Sequence, residues 1–81
     1  MKKKYFAETD NQKRSFSNLT EAVNWVKNIL IEAGYSGISM TVDSDPLDSL
    51  EGIGSDWEFV EFYAVKDGGL WSAAIIENLA A

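Results

Sequence analysis

Between Asn18 and Gly34 the chain reads NLTEAVNWVKNILIEAG, and Leu19, Ala22, Val23, Val26, Ile29, Leu30 and Ala33 recur at the spacing that gathers apolar side chains along one side of an α-helix. Thr20, Glu21, Asn24, Lys27 and Asn28 take the other side; Trp25 lies at the stripe's edge, and Ile31 falls among the polar positions. Ser17 or Asn18 can accept hydrogen bonds from the first-turn amides. Asn18 followed by Glu21 has the form of a capping box, and Gly34 suits the left-handed residue that ends a helix. One amphipathic helix must bury its stripe against something, and the rest of the chain is written mostly in strand-like runs.

Those runs can be placed. Lys3 to Glu8 is a short β-type segment, with Asp10 to Lys13 as a turn into Arg14-Ser15-Phe16. Ile38-Ser39-Met40-Thr41-Val42 alternates strictly, with Ile38, Met40 and Val42 facing inward. Trp57 to Val65 reads as a long strand, and Asp67-Gly68 offers the positive-φ dipeptide of a tight hairpin into Leu70 to Glu77. The segment from 70 to 79 also has helical character, but the hairpin turn and the Ile75-Ile76 pair favour a strand. The expected fold is α+β, a single domain over residues 1–81. One amphipathic helix packs on an antiparallel sheet of three to five strands, in the order β(β)αβββ.

An 81-residue chain has room for one thin core. It has no Cys, hence no disulfides or thiolate ligands, which favours a reducing cytoplasm over secretion. Its N-terminus lacks the apolar run of a signal peptide, and no segment is long enough to span a bilayer, so no membrane association is expected. Charge is divided unevenly. Residues 1–33 hold six Lys or Arg against four acids, whereas residues 34–81 hold nine acids against Lys66 alone. A net charge of −6 repels nucleic acid and membrane surfaces and favours neutral or basic partners.

Catalysis finds little equipment. The chain has no His and no Cys, so the usual base near neutral pH and the best thiol nucleophile are missing. Asp56 with Glu58, or Asp43 with Glu61, could pair as acid and base, but so small a domain offers little depth for raising a carboxyl pKa. Gly52-Ile53-Gly54 and Gly68-Gly69 lack the Lys and Ser or Thr of a phosphate loop. No enzyme activity and no cofactor are expected.

The densest chemistry lies in SDPLDSLEGIGSDWEFVEF, residues 44–62, which contains no basic residue. With Asp43 it displays seven acids, Asp43, Asp45, Asp48, Glu51, Asp56, Glu58 and Glu61. As a calcium loop over residues 43–51 it departs from the EF-hand pattern: counting from Asp43, the fifth, sixth and twelfth positions are Leu47, Asp48 and Gly54. As an imitation of a phosphate backbone it has the charge density, but Gly52, Gly54 and Ser55 make ordering costly. The commoner reading is a solvated loop.

The strand that follows is apolar on both faces, with Trp57, Phe59, Glu61, Tyr63 and Val65 against Glu58, Val60, Phe62 and Ala64. The next strand repeats the pattern, with Trp71, Ala73 and Ile75 against Leu70, Ser72, Ala74 and Ile76. One helix covers one face, so the other needs the N-terminal segment, a second copy or a foreign partner. Core filling accounts for any single aromatic, but not easily for the set. Lys2-Lys3-Lys4 beside Tyr5 and Phe6, with Lys13 and Arg14, could contact phosphate. Direct nucleic-acid binding is nevertheless disfavoured, since edge lysines commonly serve solubility and the rest of the chain is acidic.

These features point to a small acidic, non-enzymatic binding protein that docks on a basic or mixed surface of a macromolecule, including a nucleic-acid-binding protein, through Asp43, Asp45, Asp48, Glu51, Asp56, Trp57, Glu58, Phe59, Glu61, Tyr63 and Trp71. In size, acidity and lack of catalytic groups the whole chain resembles small phage and mobile-element inhibitors such as anti-CRISPR proteins, although no motif carries the resemblance. The alternatives are a homodimeric structural or regulatory subunit pairing through its aromatic face, and a calcium-dependent module using the carboxylates of residues 43–51.

Overall fold

The computed structural model describes residues 4–79. Lys2 and Lys3 of the basic cluster lie outside the described residues. The elements are β1 (Tyr5–Thr9), β2 (Lys13–Phe16), α1 (Leu19–Glu32), β3 (Ser36–Val42), β4 (Asp45–Leu47), β5 (Phe59–Lys66) and β6 (Gly69–Asn78). The six strands form one sheet in the order β2-β1-β6-β5-β3-β4, each neighbouring pair antiparallel.

The helix begins and ends where local chemistry dictates. Glu21 N–H donates to Asn18 Oδ1 at 3.1 Å. At the other end Tyr35 N–H reaches Leu30 O at 3.0 Å and Gly34 N–H reaches Ile31 O at 3.1 Å. This paired closure requires the left-handed φ of 93° that Gly34 supplies. Ala22, Val23, Val26 and Leu30 are buried and Leu19 is half-buried, as the stripe requires. They meet a sheet surface rich in small side chains, Ala7, Ala64, Ala73 and Ala74, with Phe62 and Ile76 fully buried among them. Full burial of a Val or Leu side chain stabilises by about 1.5–3 kcal/mol, so the three such residues here, Val23, Val26 and Leu30, are a large part of what holds so small a domain.

Two tight hairpins set the registers. Asp67 and Gly68 take φ of 53° and 79° between β5 and β6, the expected turn. Asp43 and Ser44 take φ of 47° and 75° between β3 and β4, a second two-residue turn whose conformation Asp tolerates better than most residues and Ser does not favour.

The class is as expected, and the strand count is a correction: six rather than three to five. The extra strand, β4, comes from the head of the acidic stretch. It pairs with β3 through Val42↔Asp45, Thr41↔Pro46 and Met40↔Leu47. A three-residue edge strand tolerates Pro46, whose missing N–H is not needed by the ladder there. A second correction concerns β5, which starts at Phe59 rather than Trp57. A third concerns β6, where the register shifts so that Phe62 opposes Ala74 while Tyr63 opposes Ser72. Ala73 is the extra residue of this bulge. It is buried alongside Ala74, so Ile75 faces away from Ala73 instead of sharing its face.

Candidate docking face and acidic loop

Register assigns the sheet's two faces. Tyr5, Ala7 and Thr9 of β1 oppose Asn78, Ile76 and Ala74 of β6, and these share the helix side with Val60 and Phe62 of β5 and with Met40 and Val42 of β3. Leu47, Leu50, Ile53 and Trp57 pack against the same core, extending it beyond the helix. The opposite face carries Phe6 and Glu8 of β1, Leu70, Ser72, Ile75 and Glu77 of β6, and Phe59, Glu61, Tyr63 and Val65 of β5, with Ser39 and Thr41 of β3 beside them. Among the described residues no element covers this face. Phe59, Val65 and Leu70 are 37%, 39% and 66% exposed, Val65 and Leu70 as cross-strand neighbours at one end of the face and Phe59 at the other end of β5.

The acidic loop is pinned rather than loose. Both carboxylate oxygens of Asp43 accept from Glu58 N–H, at 3.0 and 3.1 Å, and Oδ1 also accepts from Phe59 N–H at 3.0 Å. Asp43 N–H donates to Phe59 O at 3.0 Å. Asn78, buried in the last strand, donates from Nδ2 to Ser55 O at 3.2 Å and to Trp57 O at 2.9 Å, and its backbone N–H reaches Glu58 O at 2.9 Å. The Trp57 ring stacks on Tyr5 with centroids 5.9 Å apart and planes 6° from parallel, leaving Trp57 5% exposed. Carboxylate-to-amide hydrogen bonds and aromatic burial together offset the entropy cost that Gly52 and Gly54 impose.

The expected site residues therefore divide into groups with different work. Asp45, Asp48, Glu51, Asp56 and Glu58 are exposed on or beside the pinned loop, a display of negative charge. Asp43 is committed to the backbone of Glu58 and Phe59, and Trp57 anchors the loop to the core. Phe59, Glu61 and Tyr63 lie together on the open face. Trp71 is 56% exposed but lies near the far end of the β5–β6 hairpin on the helix side, its Nε1–H donating to Lys66 O at 3.1 Å. Phe6, Glu8, Val65, Leu70, Ile75 and Glu77 join the open face although they are not among the expected site residues. The alternation of β1 and β5 was the signal for Phe6, Glu8 and Val65. The bulge concealed Ile75.

Electrostatics on the open face are acidic. Tyr63 O–H donates to Glu61 Oε2 at 3.3 Å, and the Glu61 charge, aided by some desolvation and this hydrogen bond, raises the Tyr63 pKa above its ordinary 10.0. Glu8 meets Lys13 Nζ at 3.7 Å, an exposed pair that contributes little. Among the described residues no three acidic groups converge in a way that could hold a metal ion, and no helix is long and apolar enough to cross a membrane. Comparison with known protein families, curated proteins and solved structures finds no match for this chain.

Proposed function

We propose that this chain is a non-catalytic binding module that lays its open sheet face against a basic or mixed surface of a partner protein. The observation that carries the reading is a six-stranded sheet with one face covered by α1 and the acidic loop and the other bearing exposed Phe59, Val65 and Leu70. Aromatic and aliphatic burial supplies affinity. Asp45, Asp48, Glu51, Asp56 and Glu58, held by the pinned loop, supply long-range attraction and encounter rate. A domain that binds in this way acts by occlusion, and an inhibitor from a phage or mobile element that covers the nucleic-acid-binding surface of its target is the cellular role in keeping with it.

The test is affinity capture from native host lysate with mass spectrometry, with and without nuclease, followed by mapping the captured protein's footprint by amide hydrogen exchange. Protection of β5 and β6 on the open face supports the reading. A footprint confined to α1, or capture that disappears with nuclease, overturns it. Pairing of two copies through this face would gather Glu8, Glu61 and Glu77 of both copies into one interface with Lys13 as the cation each brings from the same row, an excess of like charge that disfavours the homodimer. Light scattering showing a monomer at high micromolar concentration is the expected result.

A further inference from the structure

The centre of the open face has a charge pattern that specifies more than "basic". Through the register, Glu8 of β1, Ile75 of β6 and Glu61 of β5 stand in one row across three neighbouring strands. In the next row Phe6, Glu77 and Phe59 stand in the same order. An apolar side chain is thus bracketed by carboxylates in one row, and a carboxylate by aromatic rings in the other. Adjacent strands lie about 4.8 Å apart, which separates the Glu8 and Glu61 backbones by roughly 10 Å across Ile75.

Resting on the reading of this face as the docking surface, we propose that its occupant is a cationic amphipathic helix of the partner protein. Its Arg or Lys residues at positions i and i+7 meet Glu8 and Glu61, and an apolar residue at i+3 or i+4 sits on Ile75. Seven helical residues span about 10.5 Å, matching the separation of the two carboxylates. Residues on one face of an extended strand repeat at about 6.8 Å and do not match it. Sheet faces are covered by helices, whereas added strands join sheet edges, and both edges here are blunted: β2 by Lys13 and Arg14, β4 by its length and Pro46. The chain's own helix does not meet the requirement, since its outward side offers Lys27 with no second cation seven residues away.

The probe is a synthetic 18-residue amphipathic helix with Arg at i and i+7 bracketing Leu. It is compared with a scrambled peptide of the same composition and with a version carrying Glu for Arg, and binding is followed by amide chemical shifts of the whole chain. Expected is saturable binding of the amphipathic Arg peptide alone, with the largest shifts at Glu8, Glu61, Ile75 and Glu77. The triple variant Glu8→Gln, Glu61→Gln, Glu77→Gln should lose about tenfold in affinity. Ile75→Lys should abolish binding while both variants keep the parent's melting temperature. Equal binding of the scrambled peptide, or shifts centred on Asp48 to Asp56, overturns the proposal. If no peptide binds but a captured host protein protects the open face, the helix assignment falls and the docking face stands. If the captured protein protects other surfaces, both fall.

Discussion

The two faces of the sheet are built from the same strands yet obey different rules. On the helix side Val60, Phe62 and Ile76 are fully buried and every neighbour is fixed, so shape decides which residue is tolerated. On the open side Phe59, Val65 and Leu70 are partly exposed and touch cross-strand neighbours rather than a second layer, and Glu8, Glu61 and Glu77 are interspersed among them. Stability is concentrated on one face and surface chemistry on the other. A substitution should therefore disturb folding or binding according to the face it occupies, which gives the comparison its tests.

The largest effect is expected from Val26→Asp, which places an unpaired charge in a fully buried position. Destabilisation of about 4 kcal/mol or more should leave the chain largely unfolded by circular dichroism. A parent-like melt would mean that the helix does not own this face. Next is Asp43→Ala, which removes the acceptor for the Glu58 and Phe59 amides. A loss of about 1–3 kcal/mol in denaturant unfolding, with faster exchange of those two amides, should distinguish a pinned loop from a decorative one. Leu70→Ser and Phe59→Ser on the open side should change stability by no more than about 0.5–1 kcal/mol while increasing the partner's dissociation rate. A collapse in stability there would erase the distinction between the faces.

The smallest effect is spectroscopic. Glu61→Gln should lower the Tyr63 pKa toward 10.0, read by ultraviolet titration. In the parent, because the folded-state pKa is the higher one, any stability linked to Tyr63 is present below pH 10.0 and is lost as pH rises through the raised value.

Local chemistry made some of this legible. The stripe from Leu19 to Leu30, the Asn18 cap, the Gly34 closure and the Asp67-Gly68 turn each depend on residues within a few positions of one another, and each falls where the sequence places it. Features set by distant partners were not legible. Asp43 looks like one more loop acid until β3 and β5 pair and bring the amides of Glu58 and Phe59 to it. Trp57 continues an aromatic run on paper, but Asn78 holds its carbonyl and Tyr5 its ring, so the chain turns to the helix side before β5 begins. Ala73 has nothing in its own sequence to mark it as a bulge; the shift becomes visible only when Phe62 and Tyr63 are matched to their partners. The aromatic content of the open face could thus be anticipated in part, while the central Ile75 and its flanking acids required the register.

The strand order has a consequence for how the molecule comes into being. β6 is the last in chain order of the six described strands, yet it lies between β1 and β5 and joins the two halves of the sheet. Without it, β1 and β2 on one side and β3, β4 and β5 on the other share no hydrogen-bond ladder. Completing the sheet therefore depends on a pairing between β1 and β6 that is distant in sequence, and a chain cut before Gly69 lacks the strand that unites the two halves.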